Sequence, residues 1–315
     1  MKLEIISHND LIDSANTAIV NKAKKALFES GIIGIRDVPR FVETNRDYIN
    51  AARQFSSLSK NIKEQYAPDR DAGDTEGYEQ GAEWFKDQNG DWQIDDKKIS
   101  YYAFVPDQPQ NKWPREIDLK TPYLALGKLI FETGKHLLNF IGINDSIGIP
   151  HHELAGYGRM LHYQKENDTH AHNPNWCGAH FDHGVFTGLA PAYYFKNGEE
   201  VEEPKESGLY IMPTNSKEFI KVDAADKSIL FFQVGEFGQL IMNDHIRATK
   251  HLVKKAKDNI ERFTFALFYS CSDNIVIHST SELTKDARYA DNKLADGRVY
   301  YKKWGDASFA RYRAR

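Results

Sequence analysis

Apolar positions along the chain recur first at helical and then at strand spacing. Over residues 18–27, Ile19, Ala23, Ala26 and Leu27 fall at i, i+4, i+7 and i+8, and Gly31 follows where a left-handed cap ends a helix. The short β-branched run Ile32, Ile33, Gly34, Ile35 predicts a strand closed by Pro39. Tyr48, Ala51, Ala52, Phe55 and Leu58 then carry a second helix. Residues 66–114 are polar, rich in Asp, Gly, Gln and Pro, and punctuated by Tyr78, Trp84, Phe85, Trp92, Tyr101, Tyr102, Phe104 and Trp113. They predict a long ordered loop region with short strands, of the kind that covers or serves a site. Thr121 as N-cap and Pro122 at the first helical position start a long helix along Leu126, Leu129, Ile130, Leu137 and Ile141, ended by Gly142. From Gly156 the period falls to two. Strands are predicted over 159–163, 208–212, 219–222, 229–234, 239–242, 248–253 and 262–269. Many short strands without helices between them argue for a sandwich, jelly roll or barrel. Beyond Asn274 the aromatics Tyr300, Tyr301, Trp304, Phe309 and Tyr312 should pack back on the body.

An apolar fraction of 41% against 27% charged excludes global disorder in a chain of 315 residues. Lys and Arg count 41 against 45 Asp and Glu, a net charge of −4, which gives no pull toward nucleic acid or an anionic membrane. No run is long and apolar enough for a membrane span, and the opening Met1 to His8 is not a signal sequence, so a cytoplasmic protein is expected, a monomer by default. Cys177 and Cys271 cannot build a disulfide framework and should be reduced.

The histidines are clustered: His151, His152, His162, His170, His172, His180 and His183 precede His245, His251 and His278. In His180-Phe181-Asp182, residues two apart on a strand would turn an imidazole and a carboxylate to one side. His251, on another predicted strand, could complete the two-histidine, one-carboxylate set that leaves positions open on Fe(II). Taken alone, His-x-Asp also arises by chance in a chain with 12 histidines. Arg262 and Thr264 share one face of the last strand, opposite Phe263, Phe265 and Leu267. A guanidinium beside a hydroxyl suits a carboxylate, and an ordinary surface ion pair is the alternative. His170, His172 and His183 read either as a second metal site or as a solvated loop tract. Cys177 reads as a ligand or as a small buried thiol, and Lys250, Lys254, Lys255 and Lys257 as a solvated turn.

Gly178-Ala179-His180-Phe181-Asp182-His183-Gly184, Thr187-Gly188-Leu189, residues 207–211, 219–222 and 229–235, and Arg247-Ala248-Thr249-Lys250-His251-Leu252-Val253 resemble, in order and spacing, the core of the isopenicillin N synthase-like, plant-type dioxygenases that use Fe(II) and 2-oxoglutarate. Arg262-Phe263-Thr264 is similar to the family's Arg-x-Ser, and Arg159-Met160-Leu161-His162-Tyr163 to its tyrosine-bearing strand. The helix before Gly31, the strand at 32–36, the segment 52–58 and Gly77-Tyr78 resemble its N-terminal region. The resemblance implies a mainly β fold with flanking helices, a double-stranded β-helix (jelly-roll) core and a helical N-terminal region. It divides the chain into an N-terminal region (1–115), a long helix backing the core (116–155), the catalytic core (156–275) and a tail (276–315). It implies His180, Asp182 and His251 as ligands of Fe(II), and Arg262, Thr264 and Tyr163 as residues holding 2-oxoglutarate. O2 would be consumed, with ascorbate as an optional reductant. A small-molecule substrate would be hydroxylated by default, or desaturated or cyclised, with release of succinate and CO2; aromatics of 78–113 and Tyr163 would wall its pocket. Three departures stand out: Thr264 replaces the usual Ser, eleven residues separate His251 from Arg262, and Leu252 replaces a frequent Arg. An Fe(II) oxidase of the same fold without 2-oxoglutarate, or a catalytically silent metal- or ligand-binding barrel, are the alternatives.

Overall fold

The computed structural model describes residues 3–13, 16–86, 92–143, 149–165 and 175–313. The chain opens with β1 (Ile5–Ser7), α1 (His8–Ile12), α2 (Thr17–Glu29), β2 (Ile32–Arg36), α3 (Phe41–Ser57) and α4 (Lys60–Glu64). The polar stretch that follows holds β3 (Gly77–Gln80), β4 (Trp84–Lys86), β5 (Trp92–Ile94) and β6 (Lys98–Val105), and α5 (Lys120–Ile141) comes next. Then come β7 (Leu154–Tyr163), β8 (Asn175–His180), β9 (Phe186–Leu189), β10 (Tyr193–Lys196), β11 (Glu199–Val201), β12 (Gly208–Met212), β13 (Ile220–Lys221), β14 (Leu230–Val234), α6 (Glu236–Ile241), β15 (Lys250–Lys254) and β16 (Ile260–Cys271). The tail adds β17 (Val276–Ile277), α7 (Ala287–Ala290), β18 (Val299–Tyr300) and α8 (Tyr301–Arg313).

The strands form a ten-stranded sheet in the order β1-β2-β14-β9-β16-β7-β6-β3, with β10 and β11 attached through β16, and a four-stranded sheet in the order β13-β12-β15-β8. From β7 onward the chain passes back and forth between the two. The N-terminal strands β1, β2, β3 and β6 extend the larger sheet on both sides, so the first third of the chain and the β half share one sheet.

Strand β16 shows how the alternating pattern makes two different faces. Phe263, Phe265, Leu267 and Tyr269 pack with Phe41, Tyr48 and Phe55 of α3 and Leu126, Ile130 and Leu137 of α5. On the opposite face, Ala266 packs with Leu161 and Tyr163 of β7, Phe231 of β14, and Trp176, Leu209 and Ile211 from the smaller sheet. Burying each large side chain of this kind contributes about 1.5–3 kcal/mol, so the helix-backed face anchors the fold. The inter-sheet face mixes this apolar cluster with buried polar residues such as Arg262 and Thr264. Trp304 of the tail is fully buried.

The structure departs from the sequence reading in local detail. Residues 239–242, expected as strand, form the end of helix α6 and its C-cap Met242, because carbonyls of the 182–185 turn accept the first N–H groups of the helix and all six of its residues are buried. Helix α5 begins at Lys120 with Leu119 at the cap; Thr121 is not its N-cap but donates its backbone N–H to Asp118 Oδ1 at 3.0 Å. Among the aromatics of 78–113, Tyr78, Tyr101 and Trp113 lie on the helix-backed side, where Phe55 and Tyr123 meet them edge-on. Tyr102 faces the inter-sheet space beside Arg159 and Tyr157. Gly31, at φ +67°, turns α2 into β2 against the Arg247 carbonyl, where a Cβ would come within 2.5 Å of the oxygen.

Helix α5 lies so close to β16 that a Cβ at Gly134 would stand 2.0 Å from the Tyr269 hydroxyl, which donates to the Ile130 carbonyl at 2.6 Å. Overpacking there costs about 1–3 kcal/mol, more than the roughly 1 kcal/mol that Ala gains over Gly in a helix. Gly134→Ala should therefore lower the urea midpoint of unfolding; an unchanged or higher midpoint would mean that Tyr269 can move aside.

Candidate metal centre

His180 closes β8, and His251 sits opposite it on β15 as its cross-strand partner. A register irregularity beyond His251 lets the two rings converge, 4.2 Å apart between centroids. Asp182 follows in the turn after β8, its Oδ1 lying 3.5 Å from His180 Nε2 and 3.9 Å from His251 Nε2. One potential ligand atom from each of the three residues lies within 4.8 Å of the other two, the one such group among the described residues.

The surroundings select which atoms face the shared point. His180 Nδ1 is 2.8 Å from the Gly178 carbonyl and His251 Nδ1 is 3.0 Å from the Thr249 carbonyl. A carbonyl only accepts, so each ring carries a proton on Nδ1 and Nε2 is the nitrogen a metal would take. Against burial, Cys177 and Asp182 hold the His180 pKa well above the usual imidazole range, so a metal there would displace a proton from its Nε2. Asp182 Oδ2 accepts from the Thr187 hydroxyl at 2.5 Å and from Gln233 Nε2 at 3.2 Å, which leaves Oδ1 for the metal. Burial alone would raise the Asp182 pKa, but the neighbouring imidazoles and Thr187 hold it far below the usual carboxylate range. Burial, reinforced by His180, pushes His251 down to about 4. Asp182 is thus ionised and His251 neutral near pH 7, as ligation requires. Two imidazole nitrogens and one carboxylate oxygen, without a thiolate, form a donor set that fits Fe(II).

Backbone bonds hold the ligand turn. The Glu236 N–H at the start of α6 donates to the Asp182 carbonyl at 2.8 Å, and the Phe237 N–H donates to the Gly184 carbonyl at 3.1 Å. Trp304 Nε1 donates to the His183 carbonyl at 3.0 Å. Arg288 lies over the Trp304 ring at 4.1 Å and pairs with both oxygens of Glu236 at 2.5 and 2.7 Å.

Arg262 is buried on the inner face of β16, opposite Tyr163 of β7. Its Nε donates to the Tyr194 hydroxyl at 3.3 Å, and its guanidinium lies 5.2 Å from the Tyr163 ring centroid. Its Nη1 is buried without a hydrogen-bond partner among the described residues. Trp176, stacked on Tyr163 at 5.5 Å, likewise has a buried Nε1 without a partner there. Leaving such a group unanswered costs more than the bond is worth, so an acceptor belongs at this place. Thr264 shares this face, and its hydroxyl donates to the Ala190 carbonyl at 2.7 Å.

Other sequence candidates fall elsewhere. His170 and His172 lie outside the described residues, and the His183 ring packs edge-on against Phe309 at 4.4 Å. Cys177 Sγ is 3.8 Å from His180 Nδ1, on the nitrogen turned away from the metal position. Gln233, Tyr194 and Trp176 were not singled out by sequence reasoning. Gln233 lies in a strand that reads as ordinary core, Trp176 and Tyr194 in β8 and β10, over which the sequence predicts no strand, and only the tertiary structure brings the three to the site.

No family model and no curated protein matches the sequence. Solved structures do match. A full-length Neurospora crassa protein in complex with alpha-KG aligns with a TM-score of 0.70 at 19% identity, over 98% of this chain and 96% of that one. JOX2 in complex with 2OG, Fe and JA aligns with a TM-score of 0.69 at 16% identity, over 99% and 85%. The dioxygenase for auxin oxidation in rice aligns with a TM-score of 0.70 at 14% identity, over 98% and 95%. The chain has the fold of these oxygenases. At such identity the likeness concerns fold, and the chemistry must be argued from the residues.

Thr187→Val keeps the shape of the side chain and removes one of the two bonds that orient Asp182. Loss of such a supporting bond typically lowers metal affinity by about 10- to 100-fold. Anaerobic Fe(II) titration should show that drop with the thermal midpoint little changed; unaltered affinity would separate Thr187 from the site.

Proposed function

We propose that the protein is an Fe(II)- and 2-oxoglutarate-dependent dioxygenase of the isopenicillin N synthase-like, plant-type kind. It oxidises a small organic molecule, hydroxylation being the default outcome, and releases succinate and CO2. The observation that carries this reading is the buried Arg262 guanidinium, which opens onto the same inter-sheet space as the triad with no direct ion pair among the described residues; the acid that acts on it, Glu203, is bonded to Tyr194. The passage of β7 to β16 between two sheets supports a double-stranded β-helix as the catalytic core.

His180, Asp182 and His251 would hold the iron. Bound there with 2-oxoglutarate and O2, it would supply oxidation of a substrate C–H bond coupled to decarboxylation of the co-substrate. The protein's part is placement. Arg262 offers a charge-assisted bond to the distal carboxylate, and Tyr194 fixes the direction of the fork. Tyr163 and Trp176 stack beside it and exclude water from the carboxylate end. Thr264, bonded to Ala190, presents its oxygen lone pairs and donates to a carboxylate only by giving up that bond. An oxidase without 2-oxoglutarate would have to bring a carboxylate of its own substrate to Arg262.

The test is an anaerobic titration of the Fe(II)-loaded protein with 2-oxoglutarate, followed by the visible charge-transfer band, beside Arg262→Ala. A hydrogen bond to a charged group contributes about 1.5–3 kcal/mol, so the variant should need roughly 10- to 100-fold more 2-oxoglutarate. Iron binding with no band would move the oxidase reading first, and absence of iron binding would favour a silent barrel.

A further inference from the structure

The inner face of the larger sheet carries a second positive site. Directly paired residues on neighbouring strands point to the same side of a sheet, and β16, β7 and β6 run side by side. One row across them reads Arg262, Tyr163, Lys98, and another reads Ala266, Arg159, Tyr102. Lys98 and Arg159 therefore share the face of Arg262 and Tyr163. At about 4.8 Å per strand, Lys98 stands roughly 10 Å from Arg262 across the sheet. The next row contains Phe268, whose partner on β9 is Thr187, the residue bonded to Asp182. Arg159 accordingly lies two strands across and two residues along from Thr187, roughly 12 Å through the sheet, a reach that suits one end of a small substrate.

The two cations are fixed and enclosed. Arg159 donates through Nε and Nη2 to Ser100 Oγ at 3.0 and 2.8 Å, and its guanidinium lies over the Tyr102 ring at 5.1 Å. Its Nη2 also meets one oxygen of Glu83, whose other oxygen accepts from Lys98 Nζ at 2.5 Å, with Asp95 at 3.4 Å from Lys98. The exposures are unequal: 5% for the Lys98 side chain and 15% for Arg159, against 42% for Glu83. The cations stand on adjacent strands of the sheet, whereas Glu83 lies outside a strand, immediately before β4. Replacing buried ion pairs by apolar residues is often neutral or stabilising, so packing alone gives no reason for two cations there. A planar fork, an ammonium and a hydroxyl around one point match a carboxylate.

Resting on the dioxygenase reading, we propose that Arg159 and Lys98 anchor a carboxylate of the primary substrate, which takes the place that the Glu83 carboxylate holds in this structure. The substrate is then a small organic acid, bound by its acid group about 10 Å from the co-substrate's arginine. Glu83 acts as the resident counter-ion that the acid displaces.

Benzoate and its neutral counterpart benzamide are suitable probes. Calorimetric titration of the protein, anaerobic and both with and without added Fe(II) and 2-oxoglutarate, should show benzoate binding and no benzamide binding. Glu83→Gln should tighten benzoate by at least about tenfold, since two cations lose one of their anions. Arg159→Gln should abolish benzoate binding while the 2-oxoglutarate charge-transfer titration stays within about twofold. Equal binding of benzamide, competition between benzoate and 2-oxoglutarate, or no benzoate binding even in Glu83→Gln would each overturn the proposal. Benzoate binding is read whether or not iron and 2-oxoglutarate bind, so failure of the dioxygenase reading shows separately in the charge-transfer arm.

Discussion

A charge enclosed between two β-sheets persists only if another group answers it, and this condition shapes the inner face of the larger sheet. Asp182 is answered by two imidazoles on the smaller sheet and by Thr187 and Gln233 on the larger. Lys98 and Arg159 are answered by Glu83. Arg262 is met by a tyrosine hydroxyl and two aromatic faces, which leave Nη1 without an acceptor among the described residues. The three solutions differ in kind: the first is a ligand set, the second a closed ion pair, and the third an incomplete one. The incomplete one is where a partner from outside the chain is required.

This interior keeps its geometry because the opposite face is apolar and tightly backed. Helices α3 and α5 press on Phe263, Phe265, Leu267 and Tyr269, and glycine at 134 lets the helix approach the sheet. Positions 262 and 264, between these anchors, have little freedom to turn outward. On the other side of the metal, the ligand turn is clasped between the start of α6 and Trp304, with Arg288 joining the two through Glu236. The metal position thus draws on residues from β8, β15, the larger sheet and the tail.

Much of the site was legible in the sequence because its chemistry sits at short, regular spacings. Residues two apart on a strand share a face, which made Arg262 with Thr264 readable as a pair; the same rule paired His180 with Asp182, although β8 ends at His180 and it is the turn beyond it that brings the carboxylate to the imidazole. The predicted strand at 248–253 offered His251, and the resemblance to a known family added Tyr163. Residues 239–242 misled because a short apolar run fits strand or helix equally well, and the carbonyls of the 182–185 turn, far away in sequence, favour the helix by accepting its first N–H groups. The aromatics of 78–113 misled in the opposite sense. Composition shows that they are bulky, and only the register of β3 and β6 shows that Tyr78 and Tyr101 join the helix-backed core while Tyr102 faces inward.

Local periodicity therefore determined helices α2, α3 and α5, strands β2, β7 and β12 to β16, and the two faces of β16, since these depend on neighbours within a few residues. Which strands lie side by side is decided by cross-strand hydrogen bonding and by the burial of whole faces, which mostly join residues tens of positions apart or more. That level placed Gln233 and Thr187 on Asp182, set Tyr194 and Trp176 beside Arg262, and joined Lys98 to Arg159 through a loop glutamate. Along the chain, each of these residues looks ordinary. They acquire a chemical role only because the two sheets enclose them together, where water cannot answer their polar groups.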